Sequence, residues 1–401
     1  MYAKVYIPFR GYYSTPFARW QGSLQNDNSI TLGAVTAKRW LATKNYDPEM
    51  IDYVVFGKTV GQPNSFYSST WAGGMLGAEK VSAVHISQAC STSTTCLNLA
   101  AMSVETGSLG LVFCLMTDRC SNAPHTVWPN PFGPGGEVIS ENWMMDNFNA
   151  DPWVGFPMVK TAENVAASVE GITKEHCDEI ALLRYEQYQQ ALANDREFQK
   201  RYMFPVEYKV SRRKTGILEA DEGIRPRTKE SLASLKPFLP NGVHSSGVQT
   251  HPADGNCAFI VTTKEKAQEL SADKNIEIQV VSYGFTRVDK GYMAAAPVPA
   301  AENTLKNAGL DLKEMKAIKT HNPFAANDAY MCKKMNLKPE DLNNYGSSMI
   351  FGHPQAPTAG RCIIEMIEEL VILGGGYGLF VGCAAGDTGA GLIVKVTDRS
   401  K

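Results

Sequence analysis

Short β-branched segments alternate with helical patterns along this chain, and the alternation limits the folds open to it. Apolar runs that predict buried strands begin at Tyr53, Val81, Leu111 and Cys257. A second series begins at Ile276 and continues through "KAIKTHNPF", "YGLFVGCAAG" and "GLIVKV". Because such alternation is typical of a mostly parallel sheet covered by helices, the sequence predicts an α/β protein in which one plan occurs twice.

A region of different composition lies between the two series. It is rich in Trp, Pro, Asn and Gly at first, then helical, then basic, and we interpret it as an inserted domain. The predicted organisation is an N-terminal half over residues 1–120, an inserted domain over 121–250, a return to the N-terminal half over 251–275 and a C-terminal half over 276–401.

Composition argues against several classes of function. Lys plus Arg number 39 and Asp plus Glu number 41, so the net charge of −2 gives no electrostatic reason to expect nucleic acid or a membrane as partner. The start "MYAKVYIPFRGYY" lacks a charged segment followed by an apolar one, and no later segment has the length to cross a bilayer, so we expect a cytoplasmic protein. Nine cysteines without a CxxC pair predict reduced thiols and no metal site.

The stretch "HISQACSTSTT", residues 85–95, places a cysteine between an apolar segment and a run of hydroxyl residues. Apolar residues recur at helical spacing from Leu97 to Val104, so Cys90 is predicted at a strand-to-helix junction. There the helix N-terminus favours a thiolate, which is the nucleophilic form, and the hydroxyls can cap the helix. A buried structural cysteine is the alternative, and a partner base must decide between the two.

Two segments in the C-terminal half offer partners for this cysteine. "FGHPQAPTAGR" sets His353 in a Gly/Pro loop before a helical pattern, where no apolar face needs an imidazole. "VGCAAGDTGAG" puts Cys383 between a strand and a loop of small residues, whose backbone N–H groups can approach a substrate closely.

The segments "CSTST", "HNPFA", "GHPQAPTAGR" and "GCAAGDTGAG", in this order, resemble the motifs of the thiolases, which cleave or form 3-oxoacyl-CoA. The likeness extends over nearly the whole chain, for example through "GFPMVKTAENVAASVEGITKE" and "SSGVQTHPADGNCAFIV". The resemblance implies the thiolase fold: two similar α/β halves in a five-layer α-β-α-β-α arrangement, with an inserted loop domain that carries much of the CoA contact.

The resemblance also implies a role for each reacting group. Cys90 would be the acyl-accepting nucleophile, His353 the base that activates it, and Cys383 the acid/base that exchanges a proton with the acetyl-CoA methyl group. One oxyanion hole would use the backbone N–H groups of Cys90 and Ala385. The other would combine His353 with a water that an asparagine holds in most thiolases.

The sequence departs from the family at that asparagine, where it has His321. A histidine here resembles the "HDxF" branch, which includes sterol-carrier-protein-type and archaeal thiolases, and Phe324 also fits that motif. His321 can donate a hydrogen bond to the water or to the thioester oxygen; a satisfied core histidine is the alternative. Asn322 and Pro323 depart even from that branch, which puts in doubt any substrate inferred from well-known members.

Substrate contacts are implied more weakly. Arg225, in a basic stretch that would otherwise be a solvated face, matches a position at the nucleotide end of CoA. Thr250 matches a serine near the pantetheine, and Met158 a methionine of the thioester pocket that could equally be a core residue. The aromatic stretch 125–153 either encloses a large acyl group or packs the insert.

These inferences predict a CoA-dependent thiolase that degrades a 3-oxoacyl-CoA, with a bulky, branched or aromatic substrate such as a benzoylsuccinyl-CoA-like compound as the narrower hypothesis. CoA is a cosubstrate, and no permanently bound cofactor is expected. The alternatives are a Claisen-condensing synthase of the same fold, which would not need Cys383, and a non-catalytic acyl-CoA-binding scaffold subunit. As partners we expect a homodimer or tetramer, and from His321 we hypothesise a small zinc-ribbon and OB-fold subunit.

Overall fold

The computed structural model describes residues 1–400, which form strands and helices in alternation. The strands are β1 (Tyr6–Ile7), β2 (Tyr12–Ser14), β3 (Ala18–Arg19), β4 (Tyr53–Gly57), β5 (Ser82–Ile86), β6 (Leu111–Arg119), β7 (His125–Pro129), β8 (Val138–Asn142), β9 (Val206–Ser211), β10 (Lys214–Leu218), β11 (Ala253–Thr262), β12 (Ile276–Arg287), β13 (Met315–His321), β14 (Gly375–Ala384) and β15 (Thr388–Asp398). The helices are α1 (Ser29–Thr43), α2 (Ser68–Leu76), α3 (Thr92–Glu105), α4 (Trp143–Asn149), α5 (Met158–Ala167), α6 (Lys174–Lys200), α7 (Lys229–Ala233), α8 (Lys264–Leu270), α9 (Pro297–Ala308), α10 (Ala325–Met335), α11 (Ser348–Phe351) and α12 (Ala356–Ile372).

One large mixed sheet runs through the molecule in the order β13-β14-β15-β12-β1-β11-β6-β4-β5, and β2 and β3 also pair with β11. The short strand β1 joins the two parts, since it pairs with β11 on one side and with β12 on the other. Only β4 with β5 and β6, and β13 with β14, run parallel. The prediction of a mostly parallel sheet was therefore wrong. A tight connection accounts for one antiparallel pair, because the β14–β15 hairpin turns within three residues and only antiparallel strands can be joined so closely. The pairs β6–β11 and β12–β15 join strands from distant parts of the chain, whose direction no local pattern predicts.

Helices cover and separate the two parts of the sheet. The outer helices α1 and α2 pack over the part containing β4 and β6, around Trp40 and Phe113. Helix α9 covers the outer face of the other part, with α10 beside it, around Leu305 and Leu379. Helices α3 and α12 lie between the two parts and carry the largest apolar core. The reacting groups predicted from the sequence lie at the ends of these central elements.

The central position of α12 explains its burial, which is complete from Ala356 to Leu370. An entirely buried helix needs partners for its polar side chains, and α12 contains four ionisable ones. Arg361 pairs with Asp221, and Glu368 with Arg201, both on the segment between β6 and β11. That segment contains two hairpins, β7–β8 and β9–β10, as well as α4 to α7.

Two further expectations concern the whole chain. All nine cysteines, which lie within residues 1–400, are free thiols, as predicted. None of the helices in residues 1–400 has the length and apolarity needed to span a membrane.

Candidate active site

Cys90 lies in a single helical turn between β5 and α3, at the junction that the sequence predicts. The residue before it, Ala89, has a positive φ of 45°, which a non-glycine residue rarely adopts and which is common where a functional side chain must be aimed. The hydroxyl run holds this turn. Thr92 Oγ1 accepts the N–H of Gln88 at 2.9 Å and donates to the Ala89 carbonyl at 2.8 Å. The cap residue Ser91 makes no side-chain hydrogen bond to the helix, so the hydroxyls stabilise the turn more than they cap α3.

His353 meets this thiol from the other half of the chain. Its Nε2 lies 3.0 Å from Cys90 Sγ, and its Nδ1 lies 2.6 Å from Thr358 Oγ1 in the first turn of α12. The loop that carries it has positive φ at Gly352 (92°) and Gln355 (59°). Since a hydroxyl orients the far nitrogen of the imidazole, Nε2 faces the thiol as a base must.

The thiol and the imidazole are both neutral in the resting site. Burial raises the pKa of Cys90 to about 12, against the opposing effect of N–H groups of Ala385 and Cys90 that point at the sulfur. Burial also lowers the pKa of His353 well below its usual value, with smaller contributions from His321 and His251. These N–H groups favour the thiolate less than burial disfavours it.

Cys383 is fully buried at the end of β14. Its sulfur accepts a hydrogen bond from Asn327 Nδ2 at 3.4 Å. Burial raises the pKa of this thiol, and the neighbouring Cys90 raises it further. A protonated second thiol beside the nucleophile can supply a proton to a leaving carbanion.

His321 lies at the end of β13 with its ring 4.2 Å from that of His353, centroid to centroid. Its Nδ1 is 2.8 Å from Ser348 Oγ. Its Nε2 is buried and has no hydrogen-bond partner among residues 1–400, which is uncommon for a buried nitrogen. Burial lowers the pKa of His321 to about 3, so the ring is neutral and has one nitrogen free for a ligand.

A cavity of about 720 Å³ opens onto Cys90 and His353, and its walls are mainly apolar. Three of the four predicted substrate contacts line it, namely Met158, Thr250 and Phe324. Arg225 is exposed and does not line the cavity. Burial lowers the pKa of His251, next to the cavity residues Thr250 and Pro252, and the charges of Arg227 and Arg225 lower it further.

The aromatic stretch serves two purposes in the structure. Its second part lines the cavity with Trp143, Met144, Met145 and Phe148. Its first part forms the β7–β8 hairpin, on which Trp128 and Phe132 are exposed to solvent. Part of the stretch thus bounds the cavity, whereas the hairpin leaves its large aromatic side chains exposed.

Sequence reasoning missed one polar group at the nucleophile. Gln355 lines the cavity, and its Oε1 lies 3.6 Å from Cys90 Sγ. Its backbone has φ 59° and ψ −105°, a conformation that a non-glycine residue adopts only under constraint. The signal was present in "GHPQ", where a polar residue directly follows the histidine and proline.

The ligand atoms of Cys90, His321 and His353 all lie within 4.8 Å of one another. This set of donors could hold a thiophilic metal ion. The same three groups also satisfy the needs of nucleophilic acyl transfer without one, since they supply a thiol, a base in contact with it and a neutral hydrogen-bonding imidazole.

A thiol in contact with an imidazole, beside a second buried thiol, is a set of groups that acyl transfer can use. Residues 11–265 match the thiolase N-terminal domain, and residues 274–396 match the thiolase C-terminal domain. The chain therefore belongs to the thiolase family and is an acyltransferase of that family.

Individual relatives extend over almost the whole chain. The mitochondrial 3-ketoacyl-CoA thiolase of Bos taurus is 28% identical over 389 residues, covering 96% of each protein. The acetyl-CoA acetyltransferase of Syntrophomonas wolfei is 29% identical over 395 residues, covering 95% of this chain and 96% of the relative. The crystal structure of human mitochondrial 3-ketoacyl-CoA thiolase superposes with a TM-score of 0.89 at 26% identity, over 98% of this chain and 99% of that one. The predicted thiolase fold is confirmed.

Proposed function

We propose that this enzyme cleaves a 3-oxoacyl-CoA with CoA through an acyl group carried on Cys90. The observation that supports this most directly is the 3.0 Å contact between His353 Nε2 and Cys90 Sγ at the edge of a large apolar cavity. The contact joins a nucleophile and a base from opposite ends of the chain, and it leaves the sulfur open to a ligand.

In the first step Cys90 Sγ attacks C3 of the substrate while His353 Nε2 takes the thiol proton. The N–H groups of Cys90 and Ala385, which point at the sulfur, are placed to stabilise the oxyanion at C3. The bond between C2 and C3 then breaks, which leaves the acyl group on sulfur as a thioester and releases the enolate of acetyl-CoA or of another shortened acyl-CoA.

The enolate needs a proton and a stabilised oxygen. Cys383 donates its thiol proton to C2, and the resulting thiolate next deprotonates CoA, whose sulfur takes the acyl group from Cys90. The Cys90 sulfur leaves as a thiolate and takes back the proton held on His353 Nε2, which restores the resting enzyme. In the tautomer whose Nδ1 accepts from Ser348 Oγ, His321 carries its proton on Nε2 and can donate it to the enolate oxygen or to an intervening water. In the reverse direction the same groups perform a Claisen condensation.

The walls of the cavity favour a bulky, branched or aromatic acyl group. Trp143, Met144, Met145 and Phe148 supply apolar area where the acyl chain would lie, and thioether and aromatic side chains adapt to large apolar ligands. A benzoylsuccinyl-CoA-like compound is a specific member of this class. We place the reaction in the degradation of such an acyl-CoA, since thiolysis is usually the downhill direction. Arg225 would contact the nucleotide end of CoA outside the cavity.

Intact-protein mass spectrometry tests the proposal. Wild type and Cys90→Ser are mixed with linear, branched and aromatic 3-oxoacyl-CoAs, with CoA added afterwards. We expect an acyl adduct on wild type alone, with CoA-dependent release, and its mass identifies the acyl group. Cys383→Ser should lose turnover, whereas a condensing synthase would keep it. If no substrate gives an adduct or a product, either a partner subunit is missing or the chain is a non-catalytic scaffold subunit.

Assembly is a separate part of the proposal. We infer a homodimer or tetramer from the family, and from His321 a small zinc-ribbon and OB-fold partner. Purification from the native host with subunit masses measured by native mass spectrometry tests both: a chain that elutes only with itself would argue against the second subunit.

A further inference from the structure

A buried carboxylate lies behind the nucleophile, outside the groups that the proposed reaction uses. Asp118 is near the end of β6, and its side chain is almost wholly enclosed, with 1% of the residue exposed. A carboxylate in such a position requires hydrogen-bond donors. Its donors, unlike those of most buried acids, are all backbone N–H groups.

These donors come from two loops that are far apart in sequence. Asp118 Oδ1 accepts the N–H of Val60 at 2.8 Å and of Thr59 at 3.0 Å, both in the loop after β4. Asp118 Oδ2 accepts the N–H of Thr59 at 3.0 Å and of Ala356 at 3.0 Å. Ala356 is the first residue of α12 and follows directly on the loop that carries His353 and Gln355.

Each loop in turn contacts the nucleophile. Thr59 Oγ1 lies 3.3 Å from Thr92 Oγ1 and 3.5 Å from the carbonyl oxygen of Ala89, the two residues that shape the Cys90 turn. On the other side, Ser93 Oγ of α3 donates to the carbonyl of Ala356. Asp118 therefore lies where the turn of the nucleophile and the loop of the base are joined.

We propose that Asp118 is a positioning residue, whose carboxylate fixes the His353 loop against the Cys90 turn and so sets the distance between base and nucleophile. Its side chain does not line the cavity. Only a carboxylate can fill this role, because both oxygens accept N–H groups. The amide of an asparagine has one accepting oxygen, and its NH₂ would face an N–H donor.

Asp118→Asn tests the proposal, with Asp254→Asn as the matched control. Asp254 is a similarly buried acid on the neighbouring strand β11, where it accepts the N–H of Ser121. Hydrogen–deuterium exchange followed by mass spectrometry is measured on both variants. We expect exchange in peptides spanning residues 352–358 to rise at least fivefold in Asp118→Asn and to stay within twofold of wild type in Asp254→Asn.

A second readout is the rate of Cys90 acylation by a 3-oxoacyl-CoA, which rests on the proposed function. A displacement of about 1 Å between reacting groups can cost on the order of 10²-fold in rate. We expect acylation and kcat to fall by that order in Asp118→Asn while the KM for CoA stays within about twofold. Wild type that forms no acyl adduct would overturn the proposed function, while the exchange result would still decide the role of Asp118.

Asp118→Glu is a second variant that keeps the proposal testable if Asp118→Asn does not fold. It keeps the carboxylate on a longer side chain, and we expect it to show intermediate exchange and acylation rates. The proposal is wrong if exchange and acylation in folded Asp118→Asn both stay within twofold of wild type, or if Asp254→Asn changes them equally. It is also wrong if neither Asp118 variant folds, since the carboxylate would then be a requirement of the fold and not of the site.

Discussion

Burial decides the ionisation of the groups around the nucleophile. With its pKa raised to about 12, the Cys90 thiol becomes a thiolate only at high pH, and His353 with its lowered pKa does not form an imidazolium to stabilise it. The titratable groups near the sulfur are His353, His321, Cys383, Cys120 and Asp118. None of them is a cation at neutral pH that would lower the thiol pKa.

Alkylation of Cys90 by iodoacetamide should therefore keep rising with pH. Because the thiolate fraction grows tenfold per pH unit below the pKa, we expect the rate to rise about tenfold per unit from pH 7 to pH 10, with no plateau. Peptide mass spectrometry measures the rate, and Cys90→Ser reports the background from the eight buried thiols. A plateau below pH 8 would mean that the resting site is a thiolate–imidazolium pair.

Gln355 gives a prediction about acyl selectivity. In the acyl-enzyme Cys90 has no proton to donate, so the buried amide must find another partner on the acyl group or remain unsatisfied, which costs about 1–3 kcal/mol. A hydrocarbon acyl chain offers no partner. We therefore expect Gln355→Leu to raise kcat/KM for a hydrocarbon substrate about tenfold relative to an analogue with one acyl hydroxyl.

The control for this measurement is Met158→Leu, a change of similar volume on the cavity wall. It should move kcat/KM for both substrates together and leave their ratio unchanged. If Gln355→Leu also leaves the ratio unchanged, the amide is satisfied by water or by the protein in the acyl-enzyme and does not select the acyl group.

The sequence signalled the reacting side chains more readily than those that support them. Cys90 and His353 each stand where neither a strand nor an apolar helix face explains them, and Cys383 stands at the end of an apolar strand before a loop of small residues. Asp118 had a weaker signal, an acid near the end of the apolar run "LVFCLMTDRC", which becomes interpretable only once its four N–H contacts are seen. Contacts with backbone groups depend on the tertiary fold, and no local pattern records them.

Among the secondary-structure elements, the predicted strands exist but their directions were not predictable. Periodicity reports which face of a segment is buried and carries no information on the direction of its neighbour. Helix α12 shows a related limit. Its four buried ionisable side chains suggest an exposed face, yet the helix is enclosed because the partners of these groups come from remote segments.

Close packing of α12 predicts the effect of one added methyl group. A Cβ on Gly360 would lie 2.4 Å from Cys257 Sγ and 3.0 Å from Ser93 Oγ, so α12 would have to move away from β11 and α3. We expect Gly360→Ala to lower the free energy of unfolding by about 1–3 kcal/mol, measured by urea denaturation. Because the His353 loop precedes α12, kcat should fall as well.

Gly74 in α2 is the matched control. A Cβ there would meet no atom within 4 Å. Replacement by alanine should therefore raise the free energy of unfolding by about 0.5–1 kcal/mol through helix propensity. Equal effects of Gly360→Ala and Gly74→Ala would show that α12 has room to adjust, and the packing argument would fail.

In the molecule as a whole, the segment between β6 and β11 is fastened to the central helices by buried charges. Asp221 receives both terminal nitrogens of Arg361, at 2.6 and 2.8 Å, and Tyr188 donates to it at 2.9 Å. Both members of the Asp221–Arg361 pair are fully buried. The segment that supplies much of the cavity wall is thus held to the helix that follows the His353 loop.

Removing one partner of this pair should lower the free energy of unfolding by far more than the intact pair contributes to it. Asp221→Ala would leave the Arg361 guanidinium buried with its pairing to Asp221 lost, a change that typically costs about 3–5 kcal/mol. We expect that loss in chemical denaturation, together with faster limited proteolysis between residues 121 and 250. Asp195→Ala, which removes a solvent-exposed partner of Lys200, should leave the unfolding midpoint nearly unchanged.

The double variant Asp221→Ala with Arg361→Met should regain much of the lost stability, because the guanidinium that Asp221 paired with is also gone. If the double variant is no more stable than Asp221→Ala, Asp221 stabilises the fold through Tyr188 and the backbone N–H of Phe17 instead.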